Sequence, residues 1–245
     1  LARSPELLKD ALRRKPVAVM LSFGDPREFA AEIRASGAVL ICQCQNLRHV
    51  GDAIEAKADI VVAQGSEAGG HGATRGTFTL VPEVADVLVR ESPDTMLLAA
   101  GGVADGRGLA AALALGADGV LVGTRFCAAE ESLVRSLHRA ALVGADGDST
   151  VRTHVADIVV RLPWPKEFTA RVQRNGFVER WHGHESELAQ QAAVEAPRYL
   201  QAFADGDPDD TAVWFGEAAG LIGSVGSVAS IIDQMVETAS RLVSG

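Results

Sequence analysis

The stretch 96–124, MLLAAGGVADGRGLAAALALGADGVLVGT, holds two short apolar runs with a small-residue segment between them. Met96–Ala100 closes on Gly101-Gly102, and Gly119–Val122 closes on Gly123-Thr124. Runs that are continuous and apolar, without alternation, are how strands buried on both faces of a parallel sheet look. Toward the N-terminus, Val17–Phe23, Ala38–Cys42 and Asp59–Ala63 repeat the pattern. Helical periodicity fills 6–15, 26–35, 47–56, 82–91 and 106–115. This strand–helix alternation predicts an α/β fold with a parallel sheet of five strands. The runs begin at 17, 38, 59, 96 and 119, so the connection through 64–81 is longer than the others. An enlarged loop on a regular scaffold is where function concentrates.

Beyond residue 126 the pattern changes. Helices are expected at 128–143, 186–204, 212–223 and 227–243, with 145–185 irregular around Pro163-Trp164-Pro165. Ile158-Val159-Val160 is too short to predict a sixth strand. The expected organisation is a barrel portion over 1–126, a mainly helical substrate domain over 127–225, and a C-terminal helix over 226–245 that packs back on the first part.

Composition narrows the function classes. The chain has 245 residues, 47% hydrophobic and 22% charged, which excludes a disordered protein. A net charge of −9 with no basic run argues against nucleic-acid binding. No apolar stretch has the roughly 20 residues of a membrane helix. Three cysteines make no disulfide framework, and no signal peptide is visible, so a cytoplasmic protein is expected. Cys42 and Cys44 are expected on one face of a strand, as small buried residues.

The strand-end glycines are candidates for holding an anion. In a (β/α)8 barrel the active site lies at the C-terminal ends of the strands, and phosphate is often held by the last two βα turns. Gly101, Gly102 and Gly123 let backbone N–H groups approach, Thr124 adds a hydroxyl, and the helix after Gly102 would aim its positive end at the ligand. The loop Gln64-Gly65-Ser66-Glu67-Ala68-Gly69-Gly70-His71-Gly72 places one imidazole in a stretch too Gly-rich to bury it in a core. His71 is suited to proton transfer or to stabilising negative charge. Glu67 either orients His71 or faces solvent. Gln64 either meets a ring edge or satisfies backbone groups. Arg75 and Arg125 either hold an anion or lie on the surface. His182 and His184 have weak metal-ligand spacing and are expected on the surface.

Three segments carry a family resemblance. Ala63-Gln64-Gly65-Ser66-Glu67-Ala68-Gly69-Gly70-His71 resembles a signature of the nitronate monooxygenases, formerly 2-nitropropane dioxygenases. Ala99–Gly108 and Val120–Phe126 resemble the second and third signatures, and Arg174–Phe177 and Gly216–Ile222 fit the same order. The resemblance implies FMN in a TIM (β/α)8 barrel with an added helical domain. It implies Gln64, Gly69 and Gly70 at the flavin, Gly101, Gly102, Leu121, Val122, Gly123 and Thr124 around its phosphate, no metal, and His71 as the catalytic residue. Leu121 stands where the family often has Gln. Residue 1 falls just before the family's fourth barrel strand, so the five runs correspond to strands four to eight. The expectation is a preceding segment that supplies the first three.

The reaction implied is oxidation of alkyl nitronates, or of nitroalkanes, with O2 to a carbonyl compound and nitrite. An oligomer is compatible with this. Two other readings stand beside it: an FMN-dependent enoyl-ACP reductase or another NAD(P)H-linked flavin oxidoreductase, which shares a similar Gly-Gly-His loop, and a non-catalytic fragment.

Overall fold

The computed structural model describes residues 4 and 6–244. The first part runs α1 (Glu6–Arg13), β1 (Ala18–Ser22), α2 (Arg27–Ala35), β2 (Val39–Cys44), α3 (Leu47–Glu55), β3 (Ile60–Gln64), β4 (Gly70–Gly72), α4 (Thr77–Glu91), β5 (Met96–Ala100), α5 (Gly106–Ala114) and β6 (Gly119–Leu121). Strands β1-β2-β3-β5-β6 form one parallel sheet in that order. These are the five strands expected from the apolar runs, in the expected α/β arrangement. The outer strands β1 and β6 each have a single neighbour among the described residues.

A repeated device sets the register. Ala58-Asp59 and Ala117-Asp118 precede β3 and β6. The carboxylates of Asp59 and Asp118 accept from Leu40 N (2.7 Å) and Leu97 N (2.8 Å) on the neighbouring strands, while their own N–H groups donate to the carbonyls of those residues. Each Asp thus closes a backbone ring across a strand pair and resists slippage. Above the sheet, Leu40, Val61, Leu97 and Ala99 pack under Ile33, Val50, Leu80 and Val84 in one buried cluster. Cys42 and Cys44 join it from one face of β2, and burial pushes the Cys42 thiol up to about 12.

The second part is α6 (Thr124–Cys127), α7 (Ser136–Val143), β7 (Thr150–Thr153), α8 (Val155–Val159), β8 (Thr169–Gln173), α9 (Gly176–Trp181), α10 (Glu185–Asp205), a 3-10 turn (Glu217–Leu221) and α11 (Val228–Ser244). Several expectations need correction. Residues 145–185 are not strandless, because β7 and β8 pair antiparallel and β8 pairs with β4, giving a second sheet. Ile158-Val159-Val160 forms no strand, as expected; Ile158 and Val159 end α8. The helix expected over 128–143 is present only from Ser136, as α7, with 128–135 outside any helix, and 212–223 contains only the 3-10 turn. The helix expected over 82–91 begins earlier, at Thr77, so Pro82 lies inside it, where it has no N–H to give the carbonyl four residues back.

Helix α11 packs on α5, with Met235 and Ala239 buried at the contact. Gly106 makes this approach possible, since a Cβ there would run into Met235 O, Thr238 and Ala239 N. Gly51, inside α3, has nothing near its absent Cβ. Gly106→Ala is therefore expected to destabilise the chain by ~1–3 kcal/mol through overpacking. Gly51→Ala is expected to stabilise it by ~0.4–1 kcal/mol by narrowing the unfolded ensemble. Urea unfolding checks both, and equal stability of the two variants would contradict the packing described.

Candidate active site

The C-terminal ends of β1, β3, β5 and β6 surround a cavity of about 340 Å³. Of the ten residues that the resemblance implies at the cofactor or in catalysis, Gln64, Gly69, His71, Gly101, Gly102, Leu121, Gly123 and Thr124 all line it. Two do not. Gly70 turns the chain at φ 77°, and Val122 packs with Val103, Ile231 and Met235 on the α11 side.

The turns after β5 and β6 expose backbone. Gly101 and Gly102 are both left-handed, at φ 98° and 76°, a pair of conformations that side chains disfavour. A Cβ on Gly101 would also press on Gly65 O and Thr77 Oγ1 at 3.0 Å, so the strand-end turn is tight. Among the described residues, neither Gly102 N nor Gly123 N donates a hydrogen bond. A Cβ on Gly123 would meet nothing within 4 Å. Thr124 Oγ1 accepts from Gly216 N at 2.9 Å, which leaves its O–H to donate. Two free N–H groups, a free hydroxyl and space beside them fit an anion such as a phosphate. The helix after Gly102 does not point free N–H groups at it: Asp105 caps α5, accepting from Arg107 N (2.9 Å) and Gly108 N (3.3 Å).

The loop after β3 is shaped by polar contacts from both parts of the chain. Glu67 neither orients His71 nor faces solvent alone. Its carboxylate caps α4, accepting from Thr77 N (2.9 Å) and Thr77 Oγ1 (2.8 Å), because Gly76 at the N-cap has no side chain to do so. Ser66 O accepts from Arg152 Nη1 (3.0 Å) and Arg171 Nε (2.9 Å), and Gly72 O from Arg152 Nη2 (2.6 Å). Arg171 also pairs with Glu217 at 2.8 Å. Burial and the neighbouring Arg171 push Arg152 down to about 10, and burial lowers Arg171 as well. Gln64 is held within the protein. Its Nε2 donates to His71 O (3.0 Å), and its Oε1 accepts from Gln45 Nε2 (3.1 Å) and from Gln43 Nε2.

His71 occupies the middle of β4, opposite Ala170 of β8. Its Nε2 lies 2.9 and 3.0 Å from the two carboxylate oxygens of Asp157 on α8. Its ring stacks on Trp164 with centroids 3.7 Å apart and planes at 11°, and Trp214 lies 5.6 Å away. Phe23 meets Trp164 edge-on at 5.0 Å and completes this wall of the cavity. Phe23 does so at φ 61°, a left-handed conformation that is costly for an aromatic residue and typical of functional sites.

Sequence reasoning missed Asp157, Trp164, Phe23 and Trp214. Asp157 follows His71 by 86 residues, in a segment with no readable periodicity. For Trp164 the sandwich of prolines around it was the available signal. Arg75 pairs with Glu83 (2.5 Å) and Arg125 donates to Ser224 O (3.0 Å); neither lines the main cavity. His182 and His184 lie near Glu185 and Glu187. Among the described residues, no group of three or more His, Cys, Asp or Glu is placed to hold a metal, and no helix is long and apolar enough to cross a membrane.

The family model for nitronate monooxygenase matches residues 6–238. A nitronate monooxygenase of Neurospora crassa is 33% identical over 227 residues, 90% of this chain and 59% of its own length. FabK from Thermotoga maritima superposes with a TM-score of 0.85 at 32% identity, covering 98% of this chain and 73% of that one. Nitroalkane oxidase from Streptomyces ansochromogenes superposes at 0.78 and 27% identity, covering 96% of this chain and 67% of that one. The fold is that of these barrels, with this chain contributing five parallel strands. The chain spans about 60% of the length of the curated relatives it matches.

The loop contacts predict a stability effect without a ligand. Glu67→Ala removes the cap of α4 and is expected to cost ~0.5–2 kcal/mol. It is also expected to speed amide exchange at Thr77, measured by hydrogen–deuterium exchange. Unchanged exchange there would contradict the capping role.

Proposed function

The chain belongs to the nitronate monooxygenase family, and on that premise we propose that it binds FMN in the cavity at the strand ends and oxidises alkyl nitronates to a carbonyl compound and nitrite. The observation that carries this reading is convergence. The left-handed Gly101-Gly102 turn, the open Gly123-Thr124 turn and His71 all line one cavity. The phosphate would take Gly102 N, Gly123 N and the Thr124 hydroxyl. Gly69 would lie beside the flat ring as part of the cavity wall, held there because its lack of a Cβ lets the loop pack against Phe215 and Gly216. Gln64 would act mainly by holding the backbone of His71, because both ends of its amide are engaged inside the protein.

Bound flavin supplies the two-electron redox chemistry and its reoxidation by O2. The protein's part is orientation and charge. A nitronate is an anion whose negative charge sits on the nitro oxygens, and an imidazole beside it can donate a hydrogen bond to them. With a neutral nitroalkane, the same ring can take the proton from the carbon next to the nitro group. Phe23 and Trp164 give the cavity an apolar wall, which favours an alkyl substituent and excludes water from the reacting atoms.

Two variants test the reading in the flavin-loaded protein. His71→Ala is expected to retain FMN absorbance while kcat/KM for ethyl nitronate, followed by nitrite release, falls by ~100-fold or more. An unchanged kcat/KM would remove His71 from the mechanism. Gly123→Asp adds a carboxylate beside the proposed phosphate, at a position where a Cβ meets nothing within 4 Å. It is expected to weaken FMN by ~10-fold or more and to leave riboflavin affinity nearly unchanged, as read by quenching of flavin fluorescence. Equal losses for both ligands would place the phosphate elsewhere.

A further inference from the structure

Asp157 has no partner that explains its burial except His71. Its side chain is 4% exposed, and among the described residues its carboxylate accepts from His71 Nε2 alone. Its neighbours on α8, Val155, Ala156 and Val159, pack with Trp181, Leu188 and Tyr199 in an apolar cluster. An apolar residue would satisfy the packing at that position. A buried carboxylate is costly unless a donor meets it.

We propose that Asp157 is a positioning residue that fixes His71 in the tautomer protonated on Nε2, leaving Nδ1 as the nitrogen that meets the ligand. An ionised carboxylate only accepts, so the shared proton must lie on Nε2. Both oxygens sit within 3.0 Å of that nitrogen, and Nδ1 makes no hydrogen bond among the described residues. Trp164 covers one face of the ring at 3.7 Å, so the stack and the carboxylate together oppose both tilting and a ring flip. The constraint acts before any ligand arrives. A neutral His71 therefore presents an acceptor at Nδ1, and a protonated His71 presents a donor there with its charge balanced by Asp157. The role in turnover rests on the nitronate-oxidising reading of the cavity; the tautomer itself does not.

The test begins with the chain selectively labelled with 15N in its six histidines, with His71 assigned by the resonances lost in His71→Gln. In the unsubstituted chain at neutral pH, His71 is expected to show a protonated Nε2 and an unprotonated or hydrogen-bonded Nδ1. A proton on Nδ1 with a bare Nε2 would overturn the proposal, and that result needs no variant to fold. In Asp157→Asn, the His71 nitrogen shifts are expected to move toward a mixture of tautomers. In the flavin-loaded protein, kcat for ethyl nitronate is expected to fall ~100- to 10,000-fold with KM within about threefold, the pattern of losing an imidazole's orienting carboxylate. Unchanged shifts, or unchanged kcat, in a folded Asp157→Asn would equally overturn it. If His71→Ala keeps full turnover, the nitronate reading fails, while the 15N spectrum still decides whether Asp157 sets the tautomer.

Discussion

Three residues of backbone pairing hold the two parts of the molecule together where chemistry would occur. Gly70, His71 and Gly72 pair with Arg171, Ala170 and Thr169, so the loop that leaves the parallel sheet after β3 ends as an edge of the second sheet. The imidazole is thereby placed on a strand and not on a free loop. Glycines on either side let the backbone come close to Arg152 and to the segment around Phe215. A side chain on Gly69 would collide with Phe215 and Gly216, and one on Gly72 would crowd Arg152. The loop's composition therefore serves packing against the second part of the chain.

A loop with so few side chains must find partners for its carbonyls elsewhere, because unpaired backbone groups away from water are costly. Arg152 and Arg171 meet that need from β7 and β8, and Glu217 balances Arg171. Gln64 ties the same loop to Gln43 and Gln45 on the sheet side. Two arginines thus hold the carbonyls of Ser66 and Gly72 and Gln64 holds that of His71, while Asp157 and Trp164 hold the His71 ring. Rigidity of this kind gives a catalytic group its geometry in advance of the ligand.

The five parallel strands were readable because each is a continuous apolar run closed by glycine or polar residues, and their order follows chain order. The site glycines were readable for a related reason: Gly101-Gly102 and Gly123 end those runs, and the left-handed turn at Gly101 and Gly102 is one that side chains disfavour. The second sheet was hidden. β4 is Gly-His-Gly, and β7 and β8 are rich in Arg and Thr, so neither length nor hydrophobic alternation marks them. Asp157 and Trp164 were hidden because their significance is tertiary: each is ordinary in its local segment and distinctive only beside His71. Glu67 misled for the opposite reason. Its nearness in sequence to His71 left orienting that ring or facing solvent as the two readings, whereas the start of α4 competes for its carboxylate and wins with two donors from Thr77.

The central claim is that the strand-end turns and His71 form one flavin site. A crystal structure of the protein with FMN tests it most directly. The account predicts the phosphate within hydrogen-bond distance of Gly102 N, Gly123 N and the Thr124 hydroxyl, with the ring system reaching toward His71. FMN bound with its phosphate away from those turns, or a cavity still empty of flavin at saturating FMN, would contradict it.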